Sequence, residues 1–181
     1  MNLPNAISIG RFASAPALVP LILFDQHAAA FWLFIAAGLS DAVDGYIAKR
    51  FNAVTVLGGL LDPIADKALL GGAYVALALT GDLPGWLVAL VVVRDVAIMF
   101  GWLWLNGAAR RRPITPLWIS KVNTVAQIVL AAVVLGDLAF AMVDAPLILA
   151  LVYATAATTV ASGTAYMVRL RRVGASLETP R

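Results

Sequence analysis

The sequence predicts an all-α integral membrane bundle of six transmembrane helices with both termini cytoplasmic, on three observations. Hydrophobic residues make up 62% of the 181 and charged residues only 13%, far from the balance of a soluble domain. The apolar residues fall into six runs, each near the roughly 20 residues a bilayer core requires. The cations collect in alternate connections between those runs, as they do where charge sets membrane topology.

The first run, about Leu3 to Phe24, is interrupted by Arg11 and kinked by Pro16 and Pro20. It opens Met-Asn-Leu-Pro with neither a basic run nor a small-residue cleavage site, and so reads as mature structure rather than a signal peptide. Asp25-Gln26-His27 is a polar break, in which His27 reads as a solvated loop residue. The second run, about Ala28 to Ala48, carries Asp41 and Asp44 near its end. The third, about Thr55 to Leu79, carries Asp62 and Asp66 in its opening turns, and Pro63 points to a kink or a helix start at Asp62. The fourth is about Gly85 to Leu105, the fifth about Leu117 to Leu135 and the sixth about Pro146 to Val168. Loops are short, so residues 1–170 are expected to form one membrane domain. The tail from Arg169 to Arg181 is basic and then polar and is expected to fray, residues 171–181 lying beyond the domain.

Orientation follows from the cations. Lys49, Arg50, Arg110, Arg111, Arg112, Lys121, Arg169, Arg171, Arg172 and Arg181 fall on one side of a six-span chain. The opposite connections hold Asp25, Asp82, Asp137 and Asp144 and no Lys or Arg. The positive-inside rule makes the basic side cytoplasmic, and both Asp pairs lie near it. The same cations attract anionic headgroups, each by about 1 kcal/mol. This topology explains the net charge of +3 without a nucleic-acid partner. Trp86, Trp102, Trp104 and Trp118 read as interfacial belt residues.

Asp41, Asp44, Asp62 and Asp66 stand in flanks that are otherwise membrane-like. Spacings of three and four put each pair on one face of a helix. An Asp at bilayer depth costs about 2.5–3.5 kcal/mol even on the lenient insertion scale, so positive charge has to neutralise the four. With no cysteine and His27 the only histidine, thiolate and imidazole metal sites are excluded, as are Cys nucleophiles and Ser-His triads. Carboxylates alone are hard oxygen ligands suited to magnesium, manganese or calcium. Two divalent cations so held can bridge a diphosphate and stabilise attacking and leaving oxygens. Gly45, Gly58 and Gly59 allow close approach to the backbone, and Lys49 and Arg50 are placed to meet phosphate. Gly71-Gly72 reads as helix packing only, and Lys67 as an ion-pair partner beside Asp66.

Asp41, Asp44, Gly45, Ala48, Gly58, Asp62 and Asp66 resemble, at every spacing, the CDP-alcohol phosphatidyltransferase signature D-x2-D-G-x2-A-R-x8-G-x3-D-x3-D. One position departs: Lys49 stands where that family usually has Arg, which keeps the charge and loses the bidentate fork. The resemblance runs from about Asn2 to Arg169. It implies that the four acids bind two divalent ions, Mg2+ or Mn2+, and that Asp66 is the general base. It also implies contacts to the CDP-alcohol from Gly45, Ala48, Lys49, Thr55 and Gly58, and from Asn5 and Ser8 in the opening Pro-Asn-Ala-Ile-Ser. A homodimer in a bacterial inner membrane, with the active site toward the cytoplasm, is expected on the same ground.

The second half of the chain bears on the acceptor. Arg94-Asp95, Ser120-Lys121-Val122-Asn123-Thr124 with Gln127, and Thr158-Thr159-Val160-Ala161-Ser162 resemble the mitochondrial-type cardiolipin synthases of that family. The expectation is transfer from CDP-diacylglycerol to phosphatidylglycerol, with glycerol-3-phosphate as the alternative acceptor. Arg94 and Lys121 are the candidate acceptor-phosphate residues. For Arg94 a salt bridge to Asp95 or to one of the four acids is the competing reading, and for Lys121 a snorkelling anchor. Arg110-Arg111-Arg112 reads as a topology determinant. A divalent-cation or proton-coupled transporter is the rival of another class, because transporters also carry acids within the bilayer.

Overall fold

The computed structural model describes the backbone of residues 16–50, 56–108 and 118–177, and the side chains of 16–40, 67–101 and 118–170. Among the described residues all regular structure is helical, with no strand. Helix α1 is described over residues 16–23. It is followed by α2 (His27–Arg50), α3 (Val56–Thr80), α4 (Gly85–Ala108), α5 (Trp118–Phe140) and α6 (Ala145–Leu177). Among the described residues there are thus six helices in the expected order, the first of them described only over its last part.

Their ends differ from the apolar runs, because hydropathy marks where hydrocarbon-like sequence stops and not where backbone hydrogen bonding stops. Helix α5 continues past Leu135 to Phe140, and α6 continues through Arg169, Arg171 and Arg172 to Leu177 instead of fraying after Val168. Arginine and leucine are good helix formers, so the basic stretch extends the helix. Pro63 does not begin α3, which opens at Val56 and holds the proline in its interior. Having no N–H, Pro63 leaves the carbonyl of Gly59 without its helical partner. His27 opens α2 and is not a loop residue; its side chain is 21% exposed, with Nε2 3.6 Å from Asp25 Oδ1.

The acids of the cation-free connections build turns. Asp25 takes a left-handed conformation (φ 58°), which Asp tolerates better than most residues, while Gln26 N–H donates to the carbonyl of Leu21 at 2.8 Å. Gly81 (φ 90°) ends α3, and Leu83 N–H returns to the carbonyl of Leu77 at 3.0 Å. After α5, Asp137 Oδ1 accepts from Val143 N–H at 3.0 Å. Asp144 stands directly before α6, where a carboxylate suits the helix N-terminus.

The chain forms two compact units. The first comprises Met1–Gly85 and Ala131–Asp144, and so contains α1, α2, α3 and the C-terminal half of α5. Its core is built from Leu18, Ile22, Phe34, Tyr74, Leu77 and Leu135, all buried. A Cβ on Gly72 would lie 3.2 Å from Val19 Cγ2, so this glycine does bring α3 and α1 together, whereas Gly71 has open space around it. Phe31 packs edge-on to Phe140 with ring centroids 5.4 Å apart.

The second unit comprises Trp86–Leu130 and Ala145–Arg181: α4, the N-terminal half of α5, and α6. Trp86 lies 6.2 Å from Tyr153, centroid to centroid. Farther along, α4 and α6 meet at Gly101, where a Cβ would stand 2.9 Å from Tyr166 Cε1 and 2.8 Å from Leu170 Cδ1. The Tyr166 ring cannot simply swing away, because its hydroxyl donates to the carbonyl of Ile98 at 3.0 Å. Gly101→Ala is therefore expected to destabilise the protein by about 1–3 kcal/mol. Gly38→Ala, with nothing within 4 Å of its Cβ, is expected to stabilise α2 by roughly 0.5–1 kcal/mol. Thermal midpoints in detergent compare the two directly.

Large apolar side chains also cover the outside. Trp32, Leu39, Leu79, Val93, Phe100, Val125 and Leu147 are all exposed, on helices α2 to α6. Helices that are apolar all round suit a lipid environment. Trp118–Phe140 and Ala145–Leu170 are long and apolar enough to cross a membrane, and His27–Ser40 and Lys67–Thr80 are shorter apolar helical stretches. Trp86 and Trp118 are exposed near helix starts, as belt residues would be; the side chains of Trp102 and Trp104 lie outside the described residues.

Candidate functional site

The first unit carries the four acids on consecutive helices. Asp41, Asp44, Gly45, Ala48 and Lys49 lie in the C-terminal half of α2, and Gly58, Asp62 and Asp66 in the N-terminal half of α3. The expected spacing is thus realised on helical backbone, so each pair shares one face of its helix. Six residues run from Asp44 to the end of α2 and six from the start of α3 to Asp62. Each pair therefore begins about 9 Å along its helix from the connection. That connection is residues 51–55, which reach at most about 18 Å when extended. The side chains of residues 41–66 lie outside the described residues, as do Asn5, Ser8, Thr55 and Arg110, Arg111 and Arg112 altogether. Among the described residues no cluster of three or more acidic, His or Cys side chains is placed to hold a metal.

The second unit holds Arg94 and Lys121. Arg94 sits inside α4 with its side chain 5% exposed. Its Nη1 donates to Asp95 Oδ1 at 2.7 Å, and its Nη2 donates to Ser120 Oγ of α5 at 2.6 Å and to Ser162 Oγ of α6. The ion pair to Asp95, foreseen as the competing reading, is formed, and the guanidinium ties three helices together. Its Nε is buried without a hydrogen-bond partner among the described residues. Lys121, next to Ser120, is exposed at the start of α5.

Beside this cluster lies a second polar layer. The hydroxyls of Thr159 and Thr158 lie 2.8 and 3.0 Å from Asn123 Oδ1 and 2.7 and 3.0 Å from the carbonyl of Thr155, so each shares its one proton between these two acceptors. Asn123, Thr155, Thr159 and Ser162 are fully or almost fully buried. Sequence reasoning named these segments but gave Ser120, Ser162, Asn123 and Thr159 no role. A signal was available: 120, 123 and 127 on α5, and 155, 159 and 162 on α6, fall at helical spacing, so each set forms one polar stripe. Such stripes turn inward in apolar helices, where hydroxyls and amides find partners across the bundle.

The comparisons with known proteins agree with the motif. The family model described as CDP-alcohol phosphatidyltransferase matches residues 1–165. The chain is 36% identical to the chloroplastic CDP-diacylglycerol–glycerol-3-phosphate 3-phosphatidyltransferase 1 of Oryza sativa subsp. japonica, over 96% of this chain and 58% of that protein. It is 33% identical to the cardiolipin synthase (CMP-forming) of Homo sapiens, over 91% of this chain and 60% of that protein. It is also 33% identical to the CDP-diacylglycerol–glycerol-3-phosphate 3-phosphatidyltransferase of Bacillus subtilis, over 91% of this chain and 93% of that protein. The chain thus spans somewhat more than half of the rice and human proteins and nearly all of the Bacillus one. By its signature, its helical backbone and these matches, the chain belongs to the CDP-alcohol phosphatidyltransferase family.

Proposed function

We propose that the chain is an integral membrane phosphatidyltransferase that moves a phosphatidyl group from CDP-diacylglycerol to phosphatidylglycerol, forming cardiolipin and releasing CMP. The observation that carries the reaction class is the acid quartet on α2 and α3 at the family's spacing. In this reading Asp66 accepts the proton of the acceptor hydroxyl as that oxygen bonds to the β-phosphorus. The bond from the β-phosphorus to the bridging oxygen breaks, and CMP departs with the electron pair. Gly45, Ala48, Lys49, Thr55 and Gly58, with Asn5 and Ser8, are assigned to the CDP-alcohol. Four carboxylates without imidazole or thiolate fit magnesium or manganese, and Asp41, Asp44, Asp62 and Asp66 would hold two such ions. When bound, the ions neutralise diphosphate charge and favour CMP as leaving group.

The choice of a lipid acceptor rests on the charge around Arg94. Its guanidinium already faces a carboxylate, so the pair adds little net charge. A phosphodiester, with one negative charge, suits that environment better than a phosphomonoester, which carries nearly two. Lys121 would supply the adjoining cation. The glycerol-3-phosphate reading keeps the support of the rice and Bacillus relatives, whose names carry that acceptor. Family membership displaces the transporter alternative. Residues 1–170 are taken as one catalytic domain of six spans, both termini and the acid quartet toward the cytoplasm of a bacterial inner membrane, working as a homodimer.

One assay tests the reading. Purified protein with CDP-diacylglycerol and magnesium is offered phosphatidylglycerol or glycerol-3-phosphate separately, with products read by mass spectrometry. Cardiolipin formation, lost on chelation of the metal, is the expected result. Phosphatidylglycerophosphate alone would move the assignment to the second acceptor, and neither product would end both.

A further inference from the structure

We propose that the acceptor's phosphate meets Ser120, whose hydroxyl donates to one of its oxygens, and that Arg94 stands behind as the residue that positions and polarises that hydroxyl. The proposal rests on reading the chain as a phosphatidyltransferase, and it assigns Ser120 a contact which that reading leaves open. The shared chemistry is a phosphate oxygen, whether in the diester of phosphatidylglycerol or in the monoester of glycerol-3-phosphate.

The guanidinium has no hydrogen to spare on Nη2. That nitrogen carries two, and they go to Ser120 Oγ at 2.6 Å and to Ser162 Oγ, while Nη1 donates to Asp95. With the side chain only 5% exposed, an incoming oxygen would have to displace a serine to reach Nη2. The serines themselves keep a donor. A hydroxyl oxygen that accepts from a cation still holds its own proton and has to place it elsewhere. Among the described residues neither Ser120 nor Ser162 has an acceptor for that proton. Access separates the two. Ser162 is sealed at 0% exposure, whereas Ser120, the third residue of α5, is half-buried. Accepting from the guanidinium polarises the Ser120 hydroxyl and strengthens the bond it makes in turn. The next residue, Lys121, is exposed and pairs with no described carboxylate. Arg94 and Asp95 nearly cancel, so Lys121 leaves the cluster cationic. Water would take the Ser120 proton but leave that charge unanswered. A phosphate oxygen answers both.

Calorimetry on the full chain in detergent, with magnesium and CMP, measures binding of dihexanoyl phosphatidylglycerol and of glycerol-3-phosphate separately. The parent is expected to bind one of them, and Ser120→Ala to weaken that binding by about tenfold or more, as loss of a hydrogen bond to a charged group does. Ser120→Thr keeps the hydroxyl and should stay within about threefold of the parent. Ser162→Ala frees the same guanidinium nitrogen but removes no contact to the acceptor, so it too should stay within about threefold. Thermal midpoints check folding, and Ser120→Cys, close in size and a weak donor, replaces the alanine variant if that one does not fold. Unchanged binding in Ser120→Ala would overturn the contact, as would no binding of either ligand by the parent. Equal weakening in Ser162→Ala would also overturn it, by placing the acceptor on the guanidinium. The ligand that shows the Ser120 dependence tells the diester from the monoester. The acceptor assay is read separately. A protein that makes neither lipid yet binds a phosphate through Ser120 retires the reaction and keeps the contact, whereas cardiolipin synthesis with KM for phosphatidylglycerol unchanged in Ser120→Ala does the reverse.

Discussion

Asp66→Asn is expected to lower CMP release from CDP-diacylglycerol by about 10²–10⁴-fold, the usual range for loss of a positioned general base. The substitution preserves volume and lies within α3, ten residues from its start, so the helix should persist and the protein should still fold. Asn cannot take a proton from the acceptor hydroxyl, and it is a weaker ligand. These two losses are separable. A variant lacking only a ligand, such as Asp41→Asn, should regain activity as the Mn2+ concentration is raised. One lacking the base should not. Asp82→Asn is the control, since Asp82 sits in the α3–α4 turn, where it accepts from Thr80, outside the signature. An Asp66→Asn protein retaining activity within about threefold of the parent would remove the base assignment, because a positioned base typically contributes about 10²-fold or more.

The sequence made the helices and the signature legible because both are written in local spacing. Six apolar runs located the helices, and i, i+3 and i, i+4 spacings put Asp41 with Asp44 and Asp62 with Asp66. What it obscured was non-local or hidden by composition. Where α6 ends is decided by backbone hydrogen bonding that Arg169 to Arg172 support as well as leucines do, so the apolar run stopped too early. Pro63 looked like a beginning because its ring disfavours helix before it, yet α3 extends upstream to Val56. The partners of Arg94 come from three different positions in the chain. Only Asp95 is adjacent, and adjacent residues point about 100° apart on a helix, so even that pairing needed the arginine's length. Ser120 and Ser162 are small residues in apolar helices and look like packing until the guanidinium is seen between them.

Replacing Arg94 by methionine is expected to destabilise the protein by about 3–5 kcal/mol, the cost of removing one partner from a buried ion pair. Arg94 is far more buried than Asp95, 5% against 20% for the side chains, so the acid loses its cation in a place where water replaces it poorly. The serines should matter less, because a helical serine can turn its hydroxyl to the carbonyl four residues before it. The double variant Arg94→Met/Asp95→Leu removes both charges and should recover most of that stability, since apolar replacement of a buried pair is often neutral or better. Activity should follow a different course. If the guanidinium meets the acceptor's phosphate, the double variant refolds to near-parental stability with KM for phosphatidylglycerol still raised. If Arg94 serves only to join α4, α5 and α6, KM and stability return together. Arg94→Lys divides the two roles again: it keeps the charge and three N–H donors, but on a single nitrogen, which cannot stand where both Nη1 and Nη2 of the planar fork reach Asp95, Ser120 and Ser162. SDS-driven unfolding in detergent, run beside acceptor kinetics on the same preparations, distinguishes a residue that binds from one that only braces.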